Sequence, residues 1–156
     1  MRYFEDIVVG TRIELGSHTF EAEEIKAFAR KYDPQSFHVD EAAAARSHFG
    51  RLVASGWHTA AVGMRLTVDG TRRENANART EVVRTGPSPG VRDLKWPKPV
   101  FVGDTISYAT EIVELRASKR PGWGLMVTRT SGTNQHGELV YSVQGAVFVE
   151  RRPAQA

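Results

Sequence analysis

Two side chains that can exchange protons lie close together in one short segment of the chain. Asp33 and His38 are five residues apart, and Pro34 directly follows the aspartate. A carboxylate can take a proton from water, and an imidazole can carry one because its unperturbed pKa is near neutrality. Five extended residues span at most about 18 Å, and a turn shortens that distance, so both groups could contact one water. The alternative, a structural role for both residues, is favoured when spacing alone is considered.

A second segment, residues 54–59, places a glycine at the start of an apolar helix. Gly56 has no side chain, so its N–H is open to a ligand atom, and the first N–H groups of a helix have no partners within the helix. Such a group can stabilise the negative charge that develops on a thioester carbonyl oxygen. Ser55 is a residue type that caps helix N-termini. Glycine also permits close packing where a helix begins, so both interpretations of Gly56 stay open.

Other patterns for catalysis or metal binding are weaker or absent. His58 lies one turn inside the same helix, where a core or interface position is favoured over a place in the cleft. A metal site built from Asp33, His38 and Asp40 is disfavoured because no His-Glu-x-x-His or His-x-His pattern accompanies them. The sequence has no dinucleotide-binding glycine motif, Walker loop or serine-hydrolase elbow. We therefore expect no metal and no nucleotide cofactor.

Composition limits the class of protein. The 156 residues, 40% hydrophobic and 25% charged, fit one domain over residues 1–156 with one core. The absence of cysteine excludes disulfides and thiolate chemistry. The net charge is only +3 and the basic residues are dispersed, so we expect no nucleic-acid partner. No apolar run suits a signal peptide or a membrane span, and we expect a cytoplasmic protein without membrane contact.

Apolar periodicity and turn residues predict the elements that position the candidate residues. Helices are predicted over 21–31, 41–46 and 56–66, with Asp40 capping the second. Asp33 and His38 are expected in extended or turn structure, and 69–91 in a loop with at most a short helix. The third helix is apolar on most sides, so we expect a sheet to wrap around it and bury it on most sides. One buried helix against an antiparallel sheet is an α+β fold. The predicted strands, one before the helices and then four in a meander, are 11–20, 91–96, 104–115, 124–133 and 139–150.

The motifs of this chain, taken in their order along the sequence, resemble those of one known family. Asp33-x-x-x-x-His38, followed by Ala44, is similar to the signature of MaoC-like dehydratases of the (R)-specific enoyl-CoA hydratase type. Two positions differ, because Gln35 and Ser36 stand where that signature usually has asparagine and proline. The resemblance covers nearly the whole chain and includes residues 20–31, 37–40, 49–56, 94–96, 99–100, 103–105 and 134–138.

The resemblance implies a hotdog fold, in which a curved antiparallel sheet wraps a long central helix. It assigns the catalytic aspartate to Asp33, the catalytic histidine to His38 and the backbone oxyanion donor to Gly56. We include Ser55 with Gly56 as an oxyanion or substrate-binding residue. Members of the family form dimers or higher oligomers with the acyl tunnel near the subunit interface, so we expect a homodimer or a larger homo-oligomer.

These observations predict reversible hydration of a 2-enoyl thioester, or dehydration of a 3-hydroxyacyl thioester. A coenzyme A or acyl-carrier thioester is the expected substrate, and no metal or redox cofactor is required. Lys119 and Arg120 could contact its phosphates, although solvated charges in a turn explain them equally well. A hotdog thioesterase, using the same groups to attack the carbonyl carbon, is one alternative. A non-catalytic acyl-CoA-binding subunit is the other.

Overall fold

A five-stranded antiparallel sheet frames the protein in the computed structural model, which describes residues 3–77 and 84–153. The strands are β1 (Arg12–Thr19), β2 (Gly90–Lys95), β3 (Thr105–Ala117), β4 (Trp123–Thr133) and β5 (Leu139–Glu150).

The order of the strands in the sheet is β1-β3-β4-β5-β2. All five predicted strands are present, and β3 to β5 form a meander. The prediction that β2 opens this meander is wrong, because β2 pairs with β5 at the far edge of the sheet. Alternation of apolar residues identifies a strand but does not determine which neighbour its backbone pairs with.

Four α-helices precede β2 along the chain, and a short 3-10 helix at Phe4–Asp6 precedes β1. Asp40 caps α3 as predicted, because its Oδ1 accepts a hydrogen bond of 2.6 Å from the Ala43 N–H. No helix among the described residues is long and apolar enough to cross a membrane. The helices are α1 (Ala22–Tyr32), α2 (Ser36–Val39), α3 (Glu41–Arg46) and α4 (Gly56–Asn77).

The fourth helix is longer than its apolar pattern predicts. It continues past Leu66 to Asn77, so residues 69–77 extend this helix, where the prediction was a loop with at most a separate short helix. Residue 90, also predicted in that loop, begins β2. Residues 78–83 of that predicted loop lie outside the described residues. An ion pair of 2.6 Å between Arg65 and Asp69 spans one turn where the apolar pattern fades. Such i,i+4 pairs and helix propensity extend a helix without apolar periodicity.

One side of α4 packs closely on the sheet. A Cβ added at Gly63 would lie 3.1 Å from the ring of Tyr108 and 3.3 Å from that of Tyr141, so the glycine permits this approach. Tyr108 is fully buried, and its hydroxyl donates a hydrogen bond of 3.0 Å to the backbone oxygen of Thr59. Burial raises the pKa of Tyr108, which keeps the hydroxyl protonated as this bond requires.

The opposite side of α4 is exposed in the single chain. Trp57, Met64 and Val68 have exposed fractions of 58%, 61% and 39%. The prediction that this helix is buried on most sides is therefore wrong for one chain alone. Its apolar residues do surround the helix, but the sheet of the same chain covers only one side.

Candidate active site

Asp33 lies at the C-terminal end of α1, where the helix stops before Pro34. Both of its carboxylate oxygens accept hydrogen bonds. The Ser55 hydroxyl donates to Oδ2 at 2.6 Å, and the Gln35 side-chain amide donates to Oδ1 at 2.8 Å. Burial favours the neutral form of Asp33, but these bonds and the nearby His38 outweigh it and hold the pKa of Asp33 below its ordinary value. The side chain is therefore a carboxylate at neutral pH.

His38 is buried and held in one orientation. The prediction of extended or turn structure is wrong for this residue, because it lies in the short helix α2. Its Nδ1 is 2.7 Å from the backbone oxygen of Val53. Because a carbonyl oxygen can only accept, Nδ1 carries a hydrogen and donates it. The other ring nitrogen, Nε2, is directed to Asp33, 3.5 Å from Oδ2.

Asp33 Oδ2 and His38 Nε2 are close but do not form a direct hydrogen bond of the usual length. Their separation of 3.5 Å exceeds the usual 2.7–3.2 Å of a direct N–H···O hydrogen bond. When His38 is neutral, Nε2 and the carboxylate are both acceptors, so a water that donates to both would satisfy them. When His38 is protonated, the two form an ion pair. The structure therefore brings the sequence-predicted pair together.

Gly56 begins α4 beside this pair, where the close-packing interpretation is confirmed and the oxyanion interpretation stays a prediction. Its N–H donates no backbone hydrogen bond to any residue that the structure describes. An added Cβ would lie 2.6 Å from Trp96 Cε2 and 2.7 Å from Cδ2, so the indole ring covers the Cα. Close packing therefore requires a glycine here, and a free N–H remains at the positive end of a long helix.

Ser55 contacts the carboxylate directly. Its hydroxyl donates to Asp33 and accepts a hydrogen bond of 3.2 Å from the Trp57 N–H, which caps α4 as predicted. The residue is 1% exposed. The single hydrogen of the hydroxyl goes to Asp33, so Ser55 positions the carboxylate. The sequence did not indicate this contact, because 22 residues separate the two positions. The assignment of Ser55 as an oxyanion or substrate-binding residue stays a prediction.

Asp33, His38 and Gly56 line one cavity of about 430 Å³. His58 is not among its lining residues, as the favoured core position predicted. Its ring stacks on Phe28 with centroids 4.5 Å apart, and burial lowers its pKa. Among the described residues no three histidine, aspartate or glutamate side chains are arranged to hold a metal ion. The inner wall of the cavity is mainly apolar, with buried Val53, Ala54, Val100 and Val140.

The residues at the mouth of the cavity were not identified from the sequence. Gln35, Trp57, Trp96 and Lys98 are exposed residues that line it. The rings of Trp57 and Trp96 meet edge to face with centroids 5.2 Å apart. The sequence feature that could have indicated them is the Trp-Pro-Lys-Pro segment at 96–99, whose prolines restrict the backbone between β2 and β3.

Comparison with known proteins identifies the family. The family model described as MaoC like domain matches residues 7–134. The solved structure of a MaoC-like dehydratase from Rhodospirillum rubrum is 38% identical, with a TM-score of 0.80, and the match covers 98% of this chain and 99% of that one.

Two curated relatives are also similar. The uncharacterized protein YdeM of Bacillus subtilis is 26% identical over 148 residues, which cover 94% of this chain and 98% of that protein. A 3-hydroxybutyryl-CoA dehydratase of Methylorubrum extorquens is 31% identical over 123 residues, which cover 76% and 68%. The α+β hotdog fold predicted from the sequence is confirmed, and the chain belongs to the MaoC-like domain family.

Proposed function

We propose that the protein catalyses reversible hydration of a 2-enoyl thioester, which in reverse is dehydration of a 3-hydroxyacyl thioester. The observation that carries this proposal is the 3.5 Å separation of Asp33 Oδ2 and His38 Nε2 in the cavity that Gly56 also lines. A carboxylate, an imidazole and a free backbone N–H are the groups that addition of water to an enoyl thioester needs. The similarity to a protein named 3-hydroxybutyryl-CoA dehydratase supports the same reaction class.

The substrate would be held at two points. The Gly56 N–H donates to the thioester carbonyl oxygen, where negative charge develops as the enolate-like transition state forms. The acyl chain occupies the apolar inner wall formed by Val53, Val100 and Val140. Because the N–H contact strengthens as charge develops, it lowers the barrier rather than only tightening binding.

The protons balance when the reaction starts from the Asp33 carboxylate and the His38 imidazolium. As the water oxygen bonds to the β-carbon, one water proton passes to Asp33. The Nε2 proton of His38 passes to the α-carbon, so a complete water molecule has been added. The proton on Asp33 then transfers to Nε2 and restores the starting pair. The Nδ1–H bond to Val53 holds Nε2 towards Asp33 throughout.

Hydration of crotonyl-CoA and longer enoyl-CoA thioesters, followed by loss of the enoyl absorbance, tests the proposal. Asp33→Asn and His38→Ala should each lower kcat/KM by about 100- to 10,000-fold, the usual contribution of a general acid or base. Asp69→Asn and His136→Ala are matched controls, because neither residue lines the cavity. Full activity in both site variants, or release of free thiol in place of hydration, would refute the proposal. Thiol release would instead support the thioesterase alternative.

We also propose that the protein acts as a homodimer or a higher homo-oligomer. The exposed apolar side of α4, with Trp57, Met64 and Val68, is a surface that isolated soluble chains rarely present. Separately, Val91 on edge strand β2 is 62% exposed. Light scattering during size-exclusion chromatography tests this: wild type should elute as an oligomer and Met64→Arg should shift towards the monomer. A monomeric wild type would refute it.

A further inference from the structure

The cavity changes character from its inner wall to its mouth. Val100 and Val140 inside are almost completely buried, whereas Trp96 and the Lys98 side chain at the mouth are 39% and 52% exposed. An apolar acyl chain fits the inner part, so the polar remainder of a thioester would leave past the mouth. The charges at the mouth therefore bear on which thiol carrier the protein accepts.

Lys98 is the one lysine or arginine among the described residues that lines the cavity. It lies between Pro97 and Pro99, so the backbone that carries it is restricted. Its side chain is 52% exposed and therefore accessible to a ligand from solvent. Asp33 is the opposite charge inside the cavity, and an anion that approached would be attracted to the mouth and repelled from the inner part.

Lys98 already has a protein partner at the mouth. Its Nζ contacts the carboxylate of Glu138, which also accepts a hydrogen bond of 2.9 Å from the Asn134 side-chain amide. The Glu138 side chain is 41% exposed, so water screens the pair. Exposed ion pairs contribute little stability, and a phosphate group of a ligand could take the place of Glu138 at small cost. Glu138 would keep its bond to Asn134 after the exchange.

The phosphate candidates proposed from the sequence lie elsewhere. Lys119 and Arg120 belong to the turn between β3 and β4, and neither lines the cavity. The Arg120 guanidinium lies over the ring of Trp123, 5.1 Å from its centroid.

We propose that Lys98 recognises a phosphate of the substrate's thiol carrier, exchanging Glu138 for that phosphate when the thioester binds. This inference rests on the proposed function, because it assumes a phosphopantetheine-type thioester in the cavity. Both coenzyme A and an acyl-carrier protein present such a phosphate. Lys98 is thus a specificity residue and takes no part in the proton transfers.

The test compares crotonyl thioesters of pantetheine, phosphopantetheine and coenzyme A. The readout is the ratio of kcat/KM for each phosphorylated thioester to kcat/KM for the pantetheine thioester. Lys98→Ala should lower this ratio about 1.5- to fivefold, with a smaller effect at high salt, as expected for a partly exposed charge pair. Glu138→Gln should raise the ratio, because it removes the competing charge but retains an acceptor for Asn134. Lys119→Ala is the matched control and should leave the ratio unchanged.

The thioester with which the loss in Lys98→Ala first appears identifies the phosphate that Lys98 contacts. A loss already seen with phosphopantetheine assigns the phosphate that coenzyme A and carrier proteins share. A loss seen only with coenzyme A assigns its nucleotide phosphates. An unchanged ratio in Lys98→Ala with both phosphorylated substrates overturns the inference, and so does an equal loss in Lys119→Ala.

Binding of coenzyme A itself separates this inference from the proposed function. Calorimetric titration should give a Kd about 1.5- to fivefold higher for Lys98→Ala than for wild type. If no thioester is hydrated but this difference is present, the proposed function fails while the role of Lys98 stands. If the Kd is the same in both proteins, the role of Lys98 fails whatever the turnover.

Discussion

Replacing Ser55 with alanine removes the shortest hydrogen bond to the carboxylate of Asp33 while leaving the carboxylate in place. The bond is 2.6 Å long, its donor is 1% exposed, and the Asp33 side chain is 19% exposed. A hydrogen bond to a charged group in such surroundings contributes about 1.5–3 kcal/mol. If the transition state loses all of this free energy, kcat/KM should fall about 10- to 150-fold.

The same substitution changes the pH dependence in a defined direction. Ser55 donates to the carboxylate and helps to hold the pKa of Asp33 below its ordinary value, although burial opposes it. Activity needs the carboxylate, so it is lost as the pH falls through the pKa of Asp33 in the wild type. Without the Ser55 hydroxyl this pKa rises, and the acidic limb of the kcat/KM profile should move to higher pH.

Stability must be separated from catalysis in this variant, because Ser55 also accepts a hydrogen bond from the Trp57 N–H. Losing a helix cap costs about 0.5–2 kcal/mol of unfolding free energy. Asp40→Ala is the matched control, since it removes a cap of α3 without touching Asp33. It should lower the urea midpoint but leave the pH profile unchanged. A Ser55→Ala enzyme with kcat/KM within twofold of wild type and an unmoved acidic limb would refute the positioning role.

Three further substitutions test the packing around the site. Gly56→Ala should lower the unfolding free energy by about 1–3 kcal/mol, because the new Cβ would lie 2.6 Å from Trp96; an unchanged urea midpoint would show that this packing is loose. Tyr108→Phe should cost about 0.5–1.5 kcal/mol by removing the hydrogen bond to Thr59, and a more stable variant would contradict that contribution. His58 is buried and its pKa is lowered, so as the pH falls this residue is protonated in the unfolded chain before it is protonated in the folded one. Wild-type stability should therefore begin to decline as the pH falls below about 6.5. His58→Phe should remove that part of the decline, and an identical pH–stability curve for the variant would contradict the assignment.

Local patterns predicted most of the elements. Strand β5 and helix α3 have the predicted bounds, and α1 ends beside Pro34 because proline disfavours a helical residue before it. These features depend on residues within a few positions of one another. The helix α2 was missed because four residues are too short to show apolar periodicity. The extension of α4 beyond Leu66 was missed because its last turns are polar.

The sequence by itself determined which groups are available: a carboxylate and an imidazole five residues apart, and a glycine at a helix start. Only the tertiary structure placed Asp33 Oδ2 3.5 Å from His38 Nε2 and brought the Ser55 hydroxyl to the carboxylate. It also placed Trp96 over Gly56 and β2 beside β5. Residue type and local periodicity act over a few positions of the chain. Contacts between distant segments depend on how the helices pack against the whole sheet, and no short stretch of sequence records that packing.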